Sequence, residues 1–510
     1  MNMSWKRYAA AAAIIGIAVM VFSGCGSESS TAVKAEKEIT FANTTDISSM
    51  DPRNANSTAM ATILTHVYNG LLKTDASGKV VPDLAESYEQ ISPTEWKFTL
   101  KKGITFQDGS PLTANDVKYT LDTIADPAKK FKLRADFSFM KAEVIDDTHL
   151  IIRTDTPYAA FPLRLTYVKI IPKAYVEKVG DVEFAKKPIG SGPYQFVEWN
   201  KGDHVLLKAN ESYFQGVPKI KKVVFKVIPE AASRIAALES GEVDIAASIP
   251  TSEAARLKES GKIKITGGPT TRVVYIGINA KNNAALEDVR VREALNYAID
   301  KNKIIQGVLD GHAVQVATIA IPEYEGYDAS ISAYPYDPEK AKALLQEAGY
   351  GNGLTLDFSS TGATLNGNDV VQAIAAQLDE VGVHSNIIQE EPNQQRDKIA
   401  SGQIAPLYIN GIGGPYANLD LVAKLGFSTG ERYSTFSNAA FDDLRLKAIT
   451  TSDKDKRLEL DSQLQQMAKD LAPAIFLWQQ EAVYAYNAER VIGWNPRVDE
   501  MILVNEADVK

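Results

Sequence analysis

The chain of 510 residues contains a single cysteine, so no disulfide can form within it. Histidine is scarce as well. The five present, at positions 66, 149, 204, 312 and 384, are scattered and no two share a metal-ligand spacing. No Lys/Arg cluster stands out beyond the N-terminal segment, and the net charge is −9. Nucleic acid, which is held by neutralising its phosphates with a basic patch, is thereby excluded as a partner. Phosphate-cradling loops are missing too: there is no Walker A sequence, and "GIGGPY" (411–416) falls short of G-x-G-x-x-G. One G-x-S-x-G match, "GFSTG" (426–430), offers Ser428 as a nucleophile. The hydrolase arrangement needs a histidine later in the chain, and the last one is His384. Paired carboxylates such as "QEEP" (389–392) are common on solvated faces. No catalytic constellation remains, so the chain is expected to be no enzyme, with no cofactor and no metal.

What is present begins at the N-terminus. Lys6 and Arg7 precede the apolar run "YAAAAAIIGIAVMVF" (8–22), which is shorter than the ~20 residues a membrane span needs and suits the core of a secretory signal. Ser23 and Gly24 then lead into Cys25. The stretch is similar to a bacterial lipobox, in which cleavage leaves an N-terminal cysteine that carries lipid; Phe22 departs from the leucine usual three positions before the cysteine. A lone thiol is otherwise out of place in an extracytoplasmic protein. The expectation is a signal peptide over 1–24, lipidation at Cys25 and a flexible polar tether over 25–38. The body would then sit on the extracytoplasmic side of the cell membrane, anchored by lipid.

The remaining chain is 45% hydrophobic and 23% charged by the whole-chain count, ordinary for a globular protein, and long enough to need two or three lobes. "KEITFANTTDISSMDP" (37–52) opens as a strand and ends in a loop at Pro52. In "EWKFTLKKGITF" (95–106), Trp96, Phe98 and Leu100 share a strand face; Gly103 breaks it, and Ile104 and Phe106 resume the pattern. "TAND" (113–116) is a capping-box sequence opening a helix. A strand, a Pro-bounded helix and a strand follow in "VVFKVIPEAASRIAALESGEVDIA" (223–246), and "TRVVYIGINA" (271–280) reads as a further strand. "EDVRVREALNYAIDKNKIIQGVLDG" (287–311) carries Val291, Leu295 and Ala298 at helical spacing. "YDPEKAKALLQEAGY" (336–350) has Asp337 as N-cap, Pro338 in the first turn and Gly349 at the end. Leu460, Leu464, Met467 and Leu471 line one face of a helix stopped by Pro473. The alternation of helices and strands fits an α/β or α+β fold.

These segments, with "VYNGLLKTDASGKVVPDLAES" (67–87), "GSGPY" (190–194), "ALESGEVDI" (237–245) and "VIGWNP" (491–496), resemble in order the extracellular solute-binding proteins of ABC importers, family 5, over nearly the whole chain. The resemblance implies a periplasmic-binding-protein-like fold (type II, cluster C) with two main lobes, a hinge and an extra lobe. Lobe I would combine 38–66, 190–283 and 478–510; lobe II would be 67–189, and lobe III 284–477. Crossings near 275–285 and 475–485 would hinge lobes I and III around a solute delivered to permease subunits by a monomeric receptor. Peptide-binding relatives carry a G-W-x-x-D segment whose aspartate pairs with the ligand's α-amino group. Here "YINGIGGPYANLDLVAKLGF" (408–427) puts Pro415 at that aspartate. Either Asp46 or Asp420 substitutes, Asp420 caps a helix instead, or the ligand has no free amino terminus. The family's contact segments place Thr45, Asp46, Tyr275, Asn410, Tyr416 and Asp420 in the cleft. The expected ligand is a peptide or small polar solute; a nickel chelate or other non-peptide solute is the alternative, and an extracytoplasmic hydrolase a distant one.

Overall fold

A computed structural model describes residues 37–505 and 507–510, so the signal sequence, Cys25 and most of the tether lie outside the described residues. The rest is organised by one mixed sheet of eleven strands. From one edge it runs Val383–Gln389, Leu354–Ser360, Leu407–Ile412, Ile263–Ile278 and Ala474–Asn487. It continues through Ile245–Ala246, Glu38–Asn43, Lys222–Val227, His204–Ala209 and Tyr194–Asn200, while Ala313–Gln315 pairs separately with Ala474–Asn487. Both ends contain parallel pairs joined by helices. Leu354–Ser360 and Val383–Gln389 are bridged by the helix Gly367–Asp379, and Glu38–Asn43 lies parallel to both Lys222–Val227 and Ile245–Ala246, which Ala231–Ser240 connects. Leu354–Ser360 and Glu38–Asn43 are mostly buried, whereas the edge strand Val383–Gln389 is largely exposed after Val383.

Two long antiparallel strands, Ile263–Ile278 and Ala474–Asn487, join the two ends of the sheet. Their register slips between Pro269 and Val273 and again between Val274 and Tyr275. Such slips leave backbone groups unpaired, and here side chains take them up. Tyr324 Oη donates to the Thr271 carbonyl (2.5 Å), Gln479 Nε2 to that of Thr270 (2.8 Å), and Thr270 Oγ1 to that of Gln480 (2.8 Å). Beyond the slips, Tyr275–Ile278 is ordinary ladder, paired with Leu407–Asn410. At Gly267 a Cβ would fall 1.8 Å from the Ala482 carbonyl oxygen, so only glycine permits this approach of the two strands.

A second, four-stranded sheet (Ala85–Ser92, Glu95–Leu100, His149–Thr154, Met140–Val144) packs with the helix Ala114–Ala125 onto the 38–43 end through Phe98, Leu121, Leu150 and Ile152. The capping box forms: Thr113 Oγ1 accepts from Asn115 N, and Asp116 accepts from Thr113 N at 2.9 Å. Asp337 caps Pro338–Glu347 as its position suggests. Two local readings need correction. Ile104 and Phe106 are buried but lie outside any strand, because the Gly103 turn (φ +76°) takes them into a loop with only a Thr105–Pro111 bridge. The 287–311 pattern divides into Val289–Tyr297 and Lys301–Gly307, since Asp300 accepts from Lys303 N and starts a new helix.

Candidate ligand cleft

The strand Leu407–Ile412 leaves the sheet beside the register slip and delivers the loop 413–418. A Cβ at Gly413 would lie 2.6 Å from Arg272 Cα, and Gly414 has φ +113°, so the glycines are needed for the loop to turn across that strand. Thr271 Oγ1 donates to the Gly414 carbonyl and accepts from its amide, both at 3.0 Å. Arg272 extends beneath the loop: it donates to the Gly411 carbonyl (3.2 Å) and, through Nη2 and Nε, to Glu500 (2.6 and 3.2 Å). Glu500 holds a left-handed φ of +60°, a conformation costly for a side-chain-bearing residue. Nearby, Trp494 stands edge-on to Tyr484 (5.4 Å), its indole N–H buried and without a partner. Thr361 and Thr364 hydroxyls are also buried and unpartnered.

Past the turn, Tyr416 packs against Tyr167 (4.5 Å between rings) and Phe137 (5.9 Å), residues of the second-sheet layer. Asn418 then caps the helix Leu419–Phe427 by accepting from Leu421 N at 2.9 Å. Asp420 is therefore not the cap. It is 7% exposed and held between two arginines. Its Oδ1 accepts from Arg445 Nη1 (2.5 Å), and its Oδ2 accepts from Tyr158 Oη (3.3 Å) with Arg164 Nη2 4.0 Å away. Arg164 Nε donates to the same tyrosine hydroxyl at 2.8 Å, and its guanidinium carbon sits 5.0 Å from the Tyr416 ring centre. Burial opposes the charge on Arg164, but Tyr158, Tyr416, Asp420 and Asp136 around it outweigh that and raise its pKa. Burial likewise pushes Tyr158 and Tyr416 up, keeping both neutral. Asp461, behind the cluster, is pushed up to about 7 by burial, with Asp420 and Glu325 adding to the effect and Arg457 opposing it.

The sequence-derived candidates divide. Tyr416 and Asp420 meet in this cluster. Tyr275 does not reach it: it is fully buried, 5.1 Å from the Phe427 ring, and its hydroxyl accepts from Asn410 Nδ2 at 2.9 Å. The two pair with each other on the face of the sheet covered by the helix Leu419–Phe427, which makes Tyr275 a core residue in this structure. Thr45 is exposed, and Asp46 is turned toward the Tyr194–Asn200/His204–Ala209 hairpin, accepting from Trp199 Nε1 (3.0 Å) and Gly202 N (2.8 Å). Ser428 follows a helix instead of a strand and is buried, its hydroxyl donating to the Ala423 carbonyl. Among the described residues no group of His, Cys, Asp and Glu is placed to hold a metal ion, and no helix is long and apolar enough to cross a membrane. Sequence reasoning missed Arg164, Arg445, Arg272 and Glu500. Only Arg164 carries a local signal, as a lone charge in the apolar run "AAFPLRLTYV" (159–168).

Two long crossing strands with a register slip carry a polar, aromatic-walled loop, and comparison with known proteins identifies the family. Residues 79–434 match the family described as bacterial extracellular solute-binding proteins, family 5, and the chain belongs to that family. It is an extracytoplasmic solute-binding component of an ABC importer. It is 30% identical to the glutathione-binding protein GsiB of Pectobacterium atrosepticum over 94% of this chain and 95% of that one. Among solved structures, the ABC transporter substrate-binding protein CtaP from Listeria monocytogenes superposes with a TM-score of 0.84 at 27% identity, covering 93% and 99% of the two chains. AgaA from A. tumefaciens, solved with agropinic acid, gives 0.81 at 26% identity over 93% and 99%.

Proposed function

We propose that this protein captures a small peptide or peptide-like polar solute against the 411–420 loop, closes over it by bending at the register slip, and presents the closed form to its permease. The observation that carries this is the set of buried polar atoms without partners around the loop: the Trp494 indole, the Thr361 and Thr364 hydroxyls and the guanidinium nitrogens of Arg164 and Arg445. Buried donors that fold without partners are costly unless something else supplies them. The relatives' glutathione and agropinic acid are small polar solutes of the right kind. The working parts are three lobes (38–66 with 190–283 and 478–510; 67–189; 284–477), moving about the crossing strands without any catalytic step. Tyr416 and Asp420 belong to the cluster beside the ligand. Cys25 carries the lipid that holds the receptor at the membrane.

The test is native mass spectrometry of the purified protein for a copurifying solute, followed by calorimetry with glutathione and with dipeptides and tripeptides. Saturable binding with recovery of unaltered ligand, and a smaller radius of gyration on binding, is the expected result. Conversion of the bound molecule, or binding with an unchanged scattering curve, would contradict the reading. For the anchor, Cys25→Ser should move the protein from the membrane fraction to the soluble one with ligand affinity unchanged.

A further inference from the structure

Between Tyr416 and the helix Leu419–Phe427, the buried charges do not balance. Arg164 and Arg445 share one carboxylate, that of Asp420, and Tyr158 is neutral. The nearest other carboxylate, Asp136, is occupied by Lys424 at 3.3 Å and Arg432 at 3.8 Å, with Glu431 a further 3.8 Å partner of Lys424, and Asp461 faces Arg457. One positive charge is left over. The hydrogen bonds show the same surplus: Arg164, 2% exposed, has its Nη1 buried without an acceptor, and Arg445 has its Nε in the same state. Asp420, which both arginines approach, lies in the first turn of a nine-residue helix, whose dipole adds positive potential there. No acidic residue occurs in the loop from Tyr408 to Leu419.

We propose that Arg164 and Arg445 receive a carboxylate of the bound solute, and that Asp420 positions these guanidinium groups instead of meeting a ligand amine. This rests on the solute-binding reading above and specifies its ligand: a small solute with a free carboxylate, such as a peptide with an unblocked C-terminus. An ammonium group here would face two guanidinium groups, with both oxygens of Asp420 already accepting. A carboxylate brings two acceptor oxygens to two unsatisfied donors and neutralises the surplus charge. Arginine suits the task because its rigid fork, fixed here by Tyr158 and Tyr416, keeps its orientation before the ligand arrives.

The experiment compares three random tripeptide pools with the processed full-length receptor by calorimetry: unmodified, C-terminally amidated and N-acetylated. Amidation is expected to weaken binding roughly 30-fold or more, as for loss of a buried charge-assisted pair, and acetylation less than about threefold. Arg164→Met leaves Asp420 paired one-to-one with Arg445, so the variant is expected to fold. It should lose affinity for the unmodified pool and bind the amidated pool as the parent protein does. Should it fail to fold, the pool comparison on the parent protein still decides. Equal binding of unmodified and amidated pools, or loss of binding on acetylation, overturns the carboxylate site while leaving solute capture intact. Binding of none of the pools overturns both the site and the peptide reading.

Discussion

Arg53 and Arg164 are both buried, at 0% and 2% exposure, and each leaves one guanidinium nitrogen without a partner. Their surroundings separate a structural arginine from a receptive one. Arg53 donates to Asp51 through Nε and Nη2 (3.0 and 2.7 Å) and to Asp181 (2.8 Å), with Lys129 completing two cations against two carboxylates. The Phe131 ring lies 4.0 Å from its guanidinium carbon. Arg164 shares a single carboxylate with a second arginine. An unpaired nitrogen is therefore insufficient to mark a ligand site; the charge left over in its neighbourhood is the better guide. Arg53 ties 51–54 to the segments 129–133 and 181, a junction with nothing left to bind.

The largest expected effect falls on that balanced junction. Arg53→Met strands Asp51, whose side chain is only 2% exposed, and should lower stability by about 3–5 kcal/mol in urea unfolding. The affinity of the folded fraction for tripeptides should not change. A loss below about 1 kcal/mol would remove the basis for calling this junction structural.

A second probe of the same region uses pH. His66 is fully buried against Tyr194 and Phe225; its Nδ1 donates to the Thr62 carbonyl (2.8 Å) and its Nε2 accepts from Val504 N (3.3 Å), which fixes the neutral form. Burial lowers its pKa from 6.5 to about 4, against the weaker opposing effect of the Thr62 bond. Because the folded value lies below the unfolded one, its contribution is intact above pH 6.5 and declines as pH falls to 4. The loss amounts to about 3 kcal/mol. Stability curves of the parent protein and His66→Gln should converge across that window. Parallel curves would mean that His66 takes up its proton without unfolding the core.

This division also explains what was legible from the chain. The capping box at Thr113 and the Asp337 helix start follow from contacts a few residues apart, and the 408–420 loop was marked by the family resemblance. The Asp420 cluster joins positions 262 apart through Tyr158, and Asp46 meets Trp199 153 residues away. No spacing rule reports such pairs. The burial of Tyr275 shows a different limit. Alternation identifies which residues share a sheet face, but the helix Leu419–Phe427 decides which face is sealed, and that depends on how the 413–418 loop turns.

Asp420→Asn tests the unbalanced side of the comparison and should have the next smaller effect. Removing the one carboxylate leaves two guanidinium groups facing each other. Arg445 is partly exposed and relieves some of the repulsion, so the ligand-free protein should lose about 2 kcal/mol. A saturating unmodified tripeptide should restore more of that loss than its amidated form, because only the former returns a carboxylate to the cluster. If the two restore stability equally, Asp420 holds the fold together in the manner of Asp51 and the contrast between the two arginines fails.

Asp46→Ala sets the lower limit. Its partners, the Trp199 indole and the Gly202 amide, lie on the hairpin at the far edge of the sheet, and both can turn to water when the carboxylate is removed. The hairpin register is otherwise fixed by its own ladder, including Tyr194–Ala209 and Asn200–His204. The expected cost is therefore about 1 kcal/mol, the net value of hydrogen bonds to a charged group less solvent compensation. Affinity for unmodified tripeptides should be unchanged, since the Asp46 carboxylate is taken up by Trp199 and Gly202. A tenfold loss of affinity with stability preserved would return Asp46 to the ligand. The amine-binding aspartate missing at Pro415 would then have its replacement in Asp46, alongside the carboxylate site proposed for the two arginines.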